Sequence, residues 1–524
     1  MAKVRNILFV MSDQLRADYL SCYGHPSLET PNIDSLAKRG VKFDRAYVQS
    51  PVCGPSRMSY YTGRYAFSHG ASWNFVPLPV GEKTLGDYLR PHGMRVALTG
   101  KTHMAVDQEG MRRLGLSAES DLGVLVSECG FEPYERDDGE NPEGRLKPDY
   151  AYNNYLRSKG YESNNPWHEY ANSAEGPNGE VLSGWALRNS DKPARIPDKH
   201  SESAYITNRA LDFMREQGED PWCLHLSYIK PHWPYIVSEP YHNLYGAEDC
   251  LPLHRSESER ATPHPFYQGF MNSSPGQSFS KEEVCHRVVP AYMGLVKQLD
   301  DHFGRILAYL ESSGRINDTM IVFTSDHGDF LGDHWLGEKE LFYEESSRVP
   351  LIIYDPDARA DATRNSVDSR LVEAIDLVPT FLDSVEAGIP DHIVEGKSLL
   401  PALRGGQSEA WRDHVLSELD YAFYNVRKQL KLSPQESRAF MIRTDRWKYI
   451  YHKVLPPQLF DLSNDPDEFV DLGQDKQYEQ IRAEMKERLF QKLINRKWRI
   501  TVPTEVVKQR TGMARKMGVI IGEW

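Results

Sequence analysis

The chain has 524 residues, with 75 acidic against 62 basic side chains and a formal net charge of -13, which gives no support to nucleic acid as its main partner. With 40% hydrophobic and 26% charged residues it reads as a folded globular chain, long enough for a large α/β domain with a smaller companion. The start passes from Met1-Ala2-Lys3 directly into the short apolar run 7–11, and no segment reaches the roughly 18 apolar residues of a membrane helix. A cytoplasmic protein with no membrane partner is therefore expected.

The first element is Asn6-Ile7-Leu8-Phe9-Val10-Met11, an apolar run ending on Ser12-Asp13-Gln14, the pattern of a buried strand with polar side chains at its carboxyl end. Thr30-Pro31 through Gly40 predicts a helix with a capping threonine, proline at its first position and a terminal glycine. Further strands are expected at 95–99, 222–228, 320–325 and 349–354, and further helices at 289–310 and within 372–387. Strands alternating with helices in this way predict an α/β fold with a mostly parallel central sheet covered on both faces. Ligands then gather at the carboxyl ends of the strands, where Asp13, Lys101 and Asp326 should converge.

The segment 106–199, rich in Gly, Glu, Asp, Asn and Pro, reads as an insertion within a catalytic domain spanning 1–400, placed to shape the pocket rim. From about Trp411 short strand-like runs at 415–419, 439–443 and 447–451 predict an antiparallel sheet, followed by a helix at 477–492. A smaller domain over 401–497 is expected. The stretch 498–524 is basic and then apolar, and reads either as a loose tail or as an arm packed across a neighbouring subunit of a homo-oligomer, a dimer or tetramer.

Six cysteines lie scattered at 22, 53, 129, 223, 250 and 285, without zinc-cluster spacing or the density of a disulfide scaffold. Cys53-Gly54-Pro55-Ser56-Arg57 stands out. A cysteine before Gly-Pro and a helix-like stretch can sit at a helix N-terminus, where amide dipoles and Arg57 favour an anion, but a structural thiol beside a turn fits the same residues. Asp13-Gln14 and Asp326-His327 offer carboxylate, amide and imidazole donors suited to a hard or borderline divalent ion. Taken singly, Asp13 fits a turn cap equally well and His327 a buried structural histidine.

Cys53-x-Pro55-x-Arg57 followed by Thr62-Gly63-Arg64 resembles the type I sulfatase signature of the alkaline phosphatase superfamily, close to its arylsulfatase and phosphonate monoester hydrolase branch. The resemblance spans nearly the whole chain, with Trp447-Lys448-Tyr449 and 459–468 similar to the family's C-terminal subdomain. It implies that a formylglycine-generating enzyme converts Cys53 to formylglycine, whose hydrate attacks sulfur or phosphorus, with Arg57 behind it. It also implies a metal set of Asp13, Gln14, Asp326, His327 and the modified Cys53. Gln14 removes a charge and His327 adds nitrogen, which moves the expectation from calcium towards manganese.

Gly100-Lys101-Thr102-His103, Lys230-Pro231-His232 and Lys339 also match family elements, and imply a cationic clamp on the transferred group. His103, and less directly His232 or Lys339, is assigned to the leaving oxygen. Asn74 matches an asparagine of the phosphonate branch that would bind a nonbridging oxygen, although it also suits a turn.

A sulfate monoester and a phosphonate monoester each leave one negative charge on a tetrahedral centre. Gln14 and Asn74 resemble the phosphonate branch, whereas Lys101-x-His103 is what ordinary sulfatases carry. The reading favours hydrolysis of sulfate monoesters, aryl sulfates in particular, with phosphonate monoester and phosphodiester hydrolysis as the alternative. A noncatalytic anion- or metal-binding protein is the alternative of a different class.

Overall fold

The computed structural model describes residues 4–139, 149–406 and 411–518. Its strands, in chain order, are β1 (Asn6–Asp13), β2 (Val41–Tyr47), β3 (Arg95–Gly100), β4 (Glu132–Arg136), β5 (Ser173–Glu175), β6 (Val181–Ser183), β7 (Trp222–Pro231), β8 (Thr319–Ser325), β9 (Arg348–Tyr354), β10 (Ser366–Asp368), β11 (Val372–Glu373), β12 (Val415–Asp420), β13 (Arg438–Arg443), β14 (Trp447–His452) and β15 (Gln458–Asp461). A nine-stranded sheet runs in the order β10-β2-β9-β8-β1-β7-β3-β4, with β11 also paired to β2.

The expected α/β architecture is present. Neighbours across β8-β1-β7-β3-β4 are parallel, and only β9 runs antiparallel, to both β2 and β8. The apolar run at 349–354 announces a strand but not its direction, because periodicity is blind to polarity.

Every residue of β1 is buried, which explains why the strand reads as continuous hydrophobicity rather than alternation. The alternation persists in the packing. Leu8 and Val10 face one core with the helices Glu202–Gln217 and Glu282–Ser312, whereas Ile7, Phe9 and Met11 face another with the helix Leu377–Ser384. The segment 106–199 is not wholly peripheral. It supplies β4, the edge strand beside β3, so that part of it is framework.

The helix α1 (Pro31–Arg39) forms where the sequence predicts, but Thr30 does not cap it. The buried Asp300 carboxylate, from the long helix Glu282–Ser312, accepts from the backbone N–H groups of Asn32 (3.1 Å) and Ile33 (2.8 Å) and from the Asn32 side chain (2.9 Å). Sequence cannot show a cap that comes from 268 residues away. Asp300→Ala is expected to lower stability by about 1–2 kcal/mol, through loss of those orphan-donor partners; an unchanged denaturation midpoint would count against it.

The strands β12-β13-β14-β15 form an antiparallel sheet. One face packs on the helix Glu479–Ile494 through Leu416, Ile442, Tyr449, Met485 and Leu489. The other, with Leu419, Met441, Ile450 and Phe460, covers Phe330, Leu336, Leu341 and Phe342 of the loop that carries Lys339. Beyond it lie a helix at Thr504–Arg510 and exposed Trp498 and Met517. The apolar end of the expected arm, 519–524, falls outside the described residues.

Among the described residues no helix is long and apolar enough to cross a membrane.

Candidate active site

The register of the central strands builds the site. Ser12 of β1 pairs with Ser325 of β8, so the next residues, Asp13 and Asp326, emerge side by side at the carboxyl edge. On the other flank His232 follows β7, where its N–H donates to the Asp13 carbonyl (3.2 Å). Lys101 follows β3, its N–H donating to the Ser227 carbonyl at 3.1 Å. Gly100 has φ +108, and a Cβ there would lie 1.9 Å from that same carbonyl oxygen, so the turn into Lys101 requires glycine. Four adjacent strands thus deliver side chains to one point, as open α/β sheets do.

The helix α2 (Cys53–Thr62) points its N-terminus at this edge and is buried throughout. Asn74 Oδ1 accepts from the Gly54 N–H (2.8 Å), and a Cβ on Gly54 would meet Asn74 at 2.9 Å. Asn74 therefore caps the helix that carries Cys53; its amide nitrogen makes no hydrogen bond among the described residues. Ser56 pins the same turn by donating to the Asp326 carbonyl at 2.6 Å. Arg57, one turn after Cys53, falls on the same helix face.

Arg57 is fully buried and joins the two aspartates, with Nε donating to Asp326 Oδ2 (2.8 Å) and Nη2 to Asp13 Oδ2 (3.1 Å). Its Nη1 donates to the Lys101 carbonyl (2.9 Å) and to Ser227 Oγ (2.7 Å). Lys101 Nζ lies 2.6 Å from Asp13 Oδ2. Cys53 Sγ lies 3.0 Å from His327 Nε2 and 3.8 Å from Asp13 Oδ1. Asp13, Cys53, Asp326 and His327 each turn one donor atom into a common space, within 4.8 Å of one another, and all four are buried.

Gln14 sits beside them with left-handed backbone, φ 66. Its Nε2 donates to Asp329 Oδ2 (2.5 Å) and lies 3.2 Å from the Tyr235 hydroxyl, which fixes the amide so that Oε1 faces the ammonium of Lys339 at 2.9 Å. Lys339 Nζ also lies 3.3 Å from His232 Nε2. The backbone around Lys339 is strained, with Glu338 at φ 71 and Glu340 at φ 89.

The electrostatics follow from burial. Burial alone would raise Asp13, but Lys101, His232, Arg57 and His327 overturn it and hold the carboxyl well below its ordinary range. Burial works against the charge on Lys101, yet Asp13 and its other acidic neighbours push the ammonium up. His232 is pulled well below its ordinary value by burial, with Lys339 and Lys101 adding to the effect. Burial also lowers His327, so its imidazole is neutral and able to offer a lone pair.

His103 stands slightly apart. Its backbone N–H donates to Asp138 Oδ1 (3.0 Å), as does that of Thr102 (2.8 Å), and its imidazole makes no hydrogen bond among the described residues. Lys230 turns away from this set, donating to Asn172 Oδ1 (2.7 Å) and the Pro234 carbonyl (3.0 Å). Asp329, Tyr235, Asp138 and Ser227 hold the site together, yet none lies in a motif that singles it out. Asp329, three residues after Asp326, carried the one usable signal.

A donor set of two carboxylates and an imidazole, with an amide oxygen alongside, fits a divalent cation. Beside it, several buried cationic groups face a single point, which is the equipment of a metal-dependent hydrolase acting on a small anionic ester.

The comparisons agree with that class. The family model described as Sulfatase matches residues 5–121 and 128–387, and the one described as N-sulphoglucosamine sulphohydrolase, C-terminal, matches 332–495. The chain belongs to the sulfatase family, within the alkaline phosphatase superfamily. It is 33% identical over 495 residues to the multifunctional alkaline phosphatase superfamily protein PehA of Trinickia caryophylli, covering 90% of this chain and 92% of that one. It is 27% identical to an arylsulfatase of Clostridium perfringens, over 96% and 97% of the two chains. The phosphonate monoester hydrolase SpPMH from Silicibacter pomeroyi superposes with a TM-score of 0.83 at 28% identity, covering 95% of this chain and 96% of that one.

Proposed function

We propose that the chain hydrolyses sulfate monoesters, aryl sulfates in particular, using a formylglycine made from Cys53 by a formylglycine-generating enzyme and one divalent ion. Asp13, Gln14, Asp326, His327 and the modified Cys53 would hold the ion, with manganese favoured over calcium because an imidazole and a neutral amide join the carboxylates. When bound, the ion polarises an ester oxygen and favours the deprotonated nucleophile.

The protein's own groups do the rest. Arg57 fixes the two aspartates beside the nucleophile. Lys101, Lys339 and neutral His232 hold the nonbridging oxygens, and the Asn74 amide nitrogen is free to add a further donor. His103 gives a proton or hydrogen bond to the leaving oxygen.

The observation that carries the sulfate reading is the pair at the end of β3. Lys101 lies within the Asp13–Arg57 cluster, and His103 has an imidazole with no hydrogen-bond partner among the described residues. The aryl preference is supported by aromatic side chains near the helix that carries Cys53. Trp73 stacks on Phe423 (5.7 Å between centroids) and meets Tyr424 edge-on (4.4 Å), and Phe75 and Phe423 are 75% and 56% exposed.

The alternative, phosphonate monoester and phosphodiester hydrolysis, is supported by Gln14 and by the likeness to the Silicibacter enzyme. Parallel rates on an aryl sulfate and an aryl phenylphosphonate decide between them. The sulfate is expected to have the higher kcat/KM, and a phosphonate clearly ahead reverses the assignment.

Asp329 is a positioning residue in this scheme, because it holds the Gln14 amide nitrogen and so leaves the carbonyl oxygen, which faces Lys339, as the end available to the proposed ion. Asp329→Ala is expected to weaken metal affinity about 10–100-fold, the usual effect of removing a ligand's hydrogen-bond partner, with Asp329→Asn recovering part of it. Equilibrium dialysis measures it, and unaltered affinity would remove Gln14 from the ligand set. The exposed Trp498 and Met517 support the expected self-association.

A further inference from the structure

We propose that Asp138, held by Arg136, is a positioning residue that fixes His103 and thereby decides how strongly turnover depends on the leaving group. This builds on the assignment of His103 to the leaving oxygen.

The placement begins in the sheet. β3 and β4 are parallel, with Gly100 paired to Arg136, and the Asp137 N–H donates to the Gly100 carbonyl at 3.0 Å. The residues that leave the two strands therefore run side by side, so that 101–103 meet 137–138 at the carboxyl edge. β4 gives no side chain to the metal set or to the cationic groups beside it. What it brings to the site is Asp138.

Asp138 Oδ1 accepts from two successive backbone N–H groups, those of Thr102 (2.8 Å) and His103 (3.0 Å). Its other oxygen is taken by Arg136, whose Nε donates at 3.0 Å and Nη2 at 2.6 Å. Arg136 is fixed in turn, with Nη1 donating to Glu128 Oε1 at 2.7 Å and Nη2 reaching the Met104 carbonyl at 3.4 Å. The backbone around His103 is thus gripped on its N–H side by Asp138 and on its carbonyl side by Arg136. Burial works against the charge on Asp138, yet Arg136, and after it His103, bring the carboxyl down to about 2. An ionised acceptor therefore serves both N–H groups.

His103 needs such a grip because its backbone is strained. A φ of 52 places a non-glycine residue in the left-handed region, which persists only where the surroundings over-determine it. Lys101, Thr102 and Met104 are buried around it, and His103 alone of the four is part-exposed. Its imidazole Nδ1 is buried without a hydrogen-bond partner among the described residues. A catalytic imidazole is commonly aimed by a partner on its second nitrogen. Here the aim comes from the main chain.

Without the Asp138 carboxylate, two N–H groups lose their acceptor and the left-handed turn can relax, carrying the ring with it. A misplacement of about 1 Å is enough to cost about 100-fold in rate. The loss has a chemical signature. As the bond from sulfur to the aryl oxygen breaks, its electron pair goes to that oxygen, which takes the His103 proton when the leaving group is as basic as phenolate. Nitrophenolate leaves as a stable anion without that help. Displacing His103 should therefore slow the phenyl ester selectively, whereas a merely structural role for Asp138 would slow both esters alike.

The test is kcat/KM, which reports the steps up to leaving-group departure, on phenyl sulfate and 4-nitrophenyl sulfate, with the matching phenylphosphonates run alongside. The wild type is compared with Asp138→Ala, Asp138→Asn and His103→Ala. Asp138 is part-exposed at the sheet edge, so its variants are expected to fold, and circular dichroism checks this. Asp138→Ala should lose about 10–100-fold on the phenyl ester and under about 3-fold on the nitrophenyl ester, less than the roughly 10²–10⁴-fold of removing a general acid outright. Asp138→Asn keeps an acceptor for the two N–H groups and should recover part of the loss. His103→Ala should show the same selectivity more strongly. If His103→Ala is selective but Asp138→Ala slows both esters equally, or Asp138→Asn recovers nothing, the proposal is overturned and Asp138 is a structural residue. Equal losses on both esters in His103→Ala instead remove His103 from the leaving oxygen, and the proposal falls with that assignment.

Discussion

Cys53→Ala is expected to lower kcat/KM by about 10⁴-fold or more on aryl sulfates and phosphonates alike, the scale of nucleophile removal in covalent hydrolases. Stability should hardly change. The thiol lies 3.0 Å from His327 Nε2 and 3.8 Å from Asp13 Oδ1, and removing one buried sulfur from a helix end costs about 1 kcal/mol. Cys53→Ser sharpens the test, because it puts a hydroxyl at the same place without an aldehyde. If the proposed formylglycine is the nucleophile, Cys53→Ser should be nearly as inactive as Cys53→Ala. Mass spectrometry of the tryptic peptide 46–57 completes the experiment. A fully active preparation in which Cys53 remains an unmodified thiol would falsify the aldehyde mechanism.

Much of this site was legible because its chemistry is clustered in short motifs. Asp13-Gln14, Cys53 to Arg57 and Asp326-His327 each end or begin an element whose apolar pattern is plain, and parallel strands bring such ends together. Less legible was whatever depends on long-range contacts. Asp300 capping α1, Asp329 turning the Gln14 amide and Asp138 holding the Thr102-His103 backbone all act across tens or hundreds of residues. An isolated aspartate in a sequence has no signature of what it will accept. Asn74 carries a second task that its family match did not announce: its carbonyl oxygen accepts from the Gly54 N–H, which leaves the amide nitrogen for the proposed contact with substrate. The direction of β9 and the incorporation of β4 into the sheet were likewise invisible, since both follow from pairing rather than from pattern.

Arg57→Ala is expected to be the most destabilising single change in the site, by about 3–5 kcal/mol, because it strands the buried Asp326 carboxylate and leaves Asp13 with Lys101 as its one close cation. The shift of Arg57 points the same way. Burial works against its charge, and Asp326 leads the groups that more than restore it. Arg57→Lys should recover part of the stability but little of the activity, since a single ammonium cannot span Asp13, Asp326, the Lys101 carbonyl and Ser227 at once. The proposed metal adds a sharper expectation. A cation held by Asp13 and Asp326 compensates the same two charges as Arg57, so adding manganese should raise the melting temperature of Arg57→Ala more than that of the wild type. Equal increments in both proteins would mean that arginine and ion do not share those carboxylates, and the ligand set would have to be drawn again without one of them.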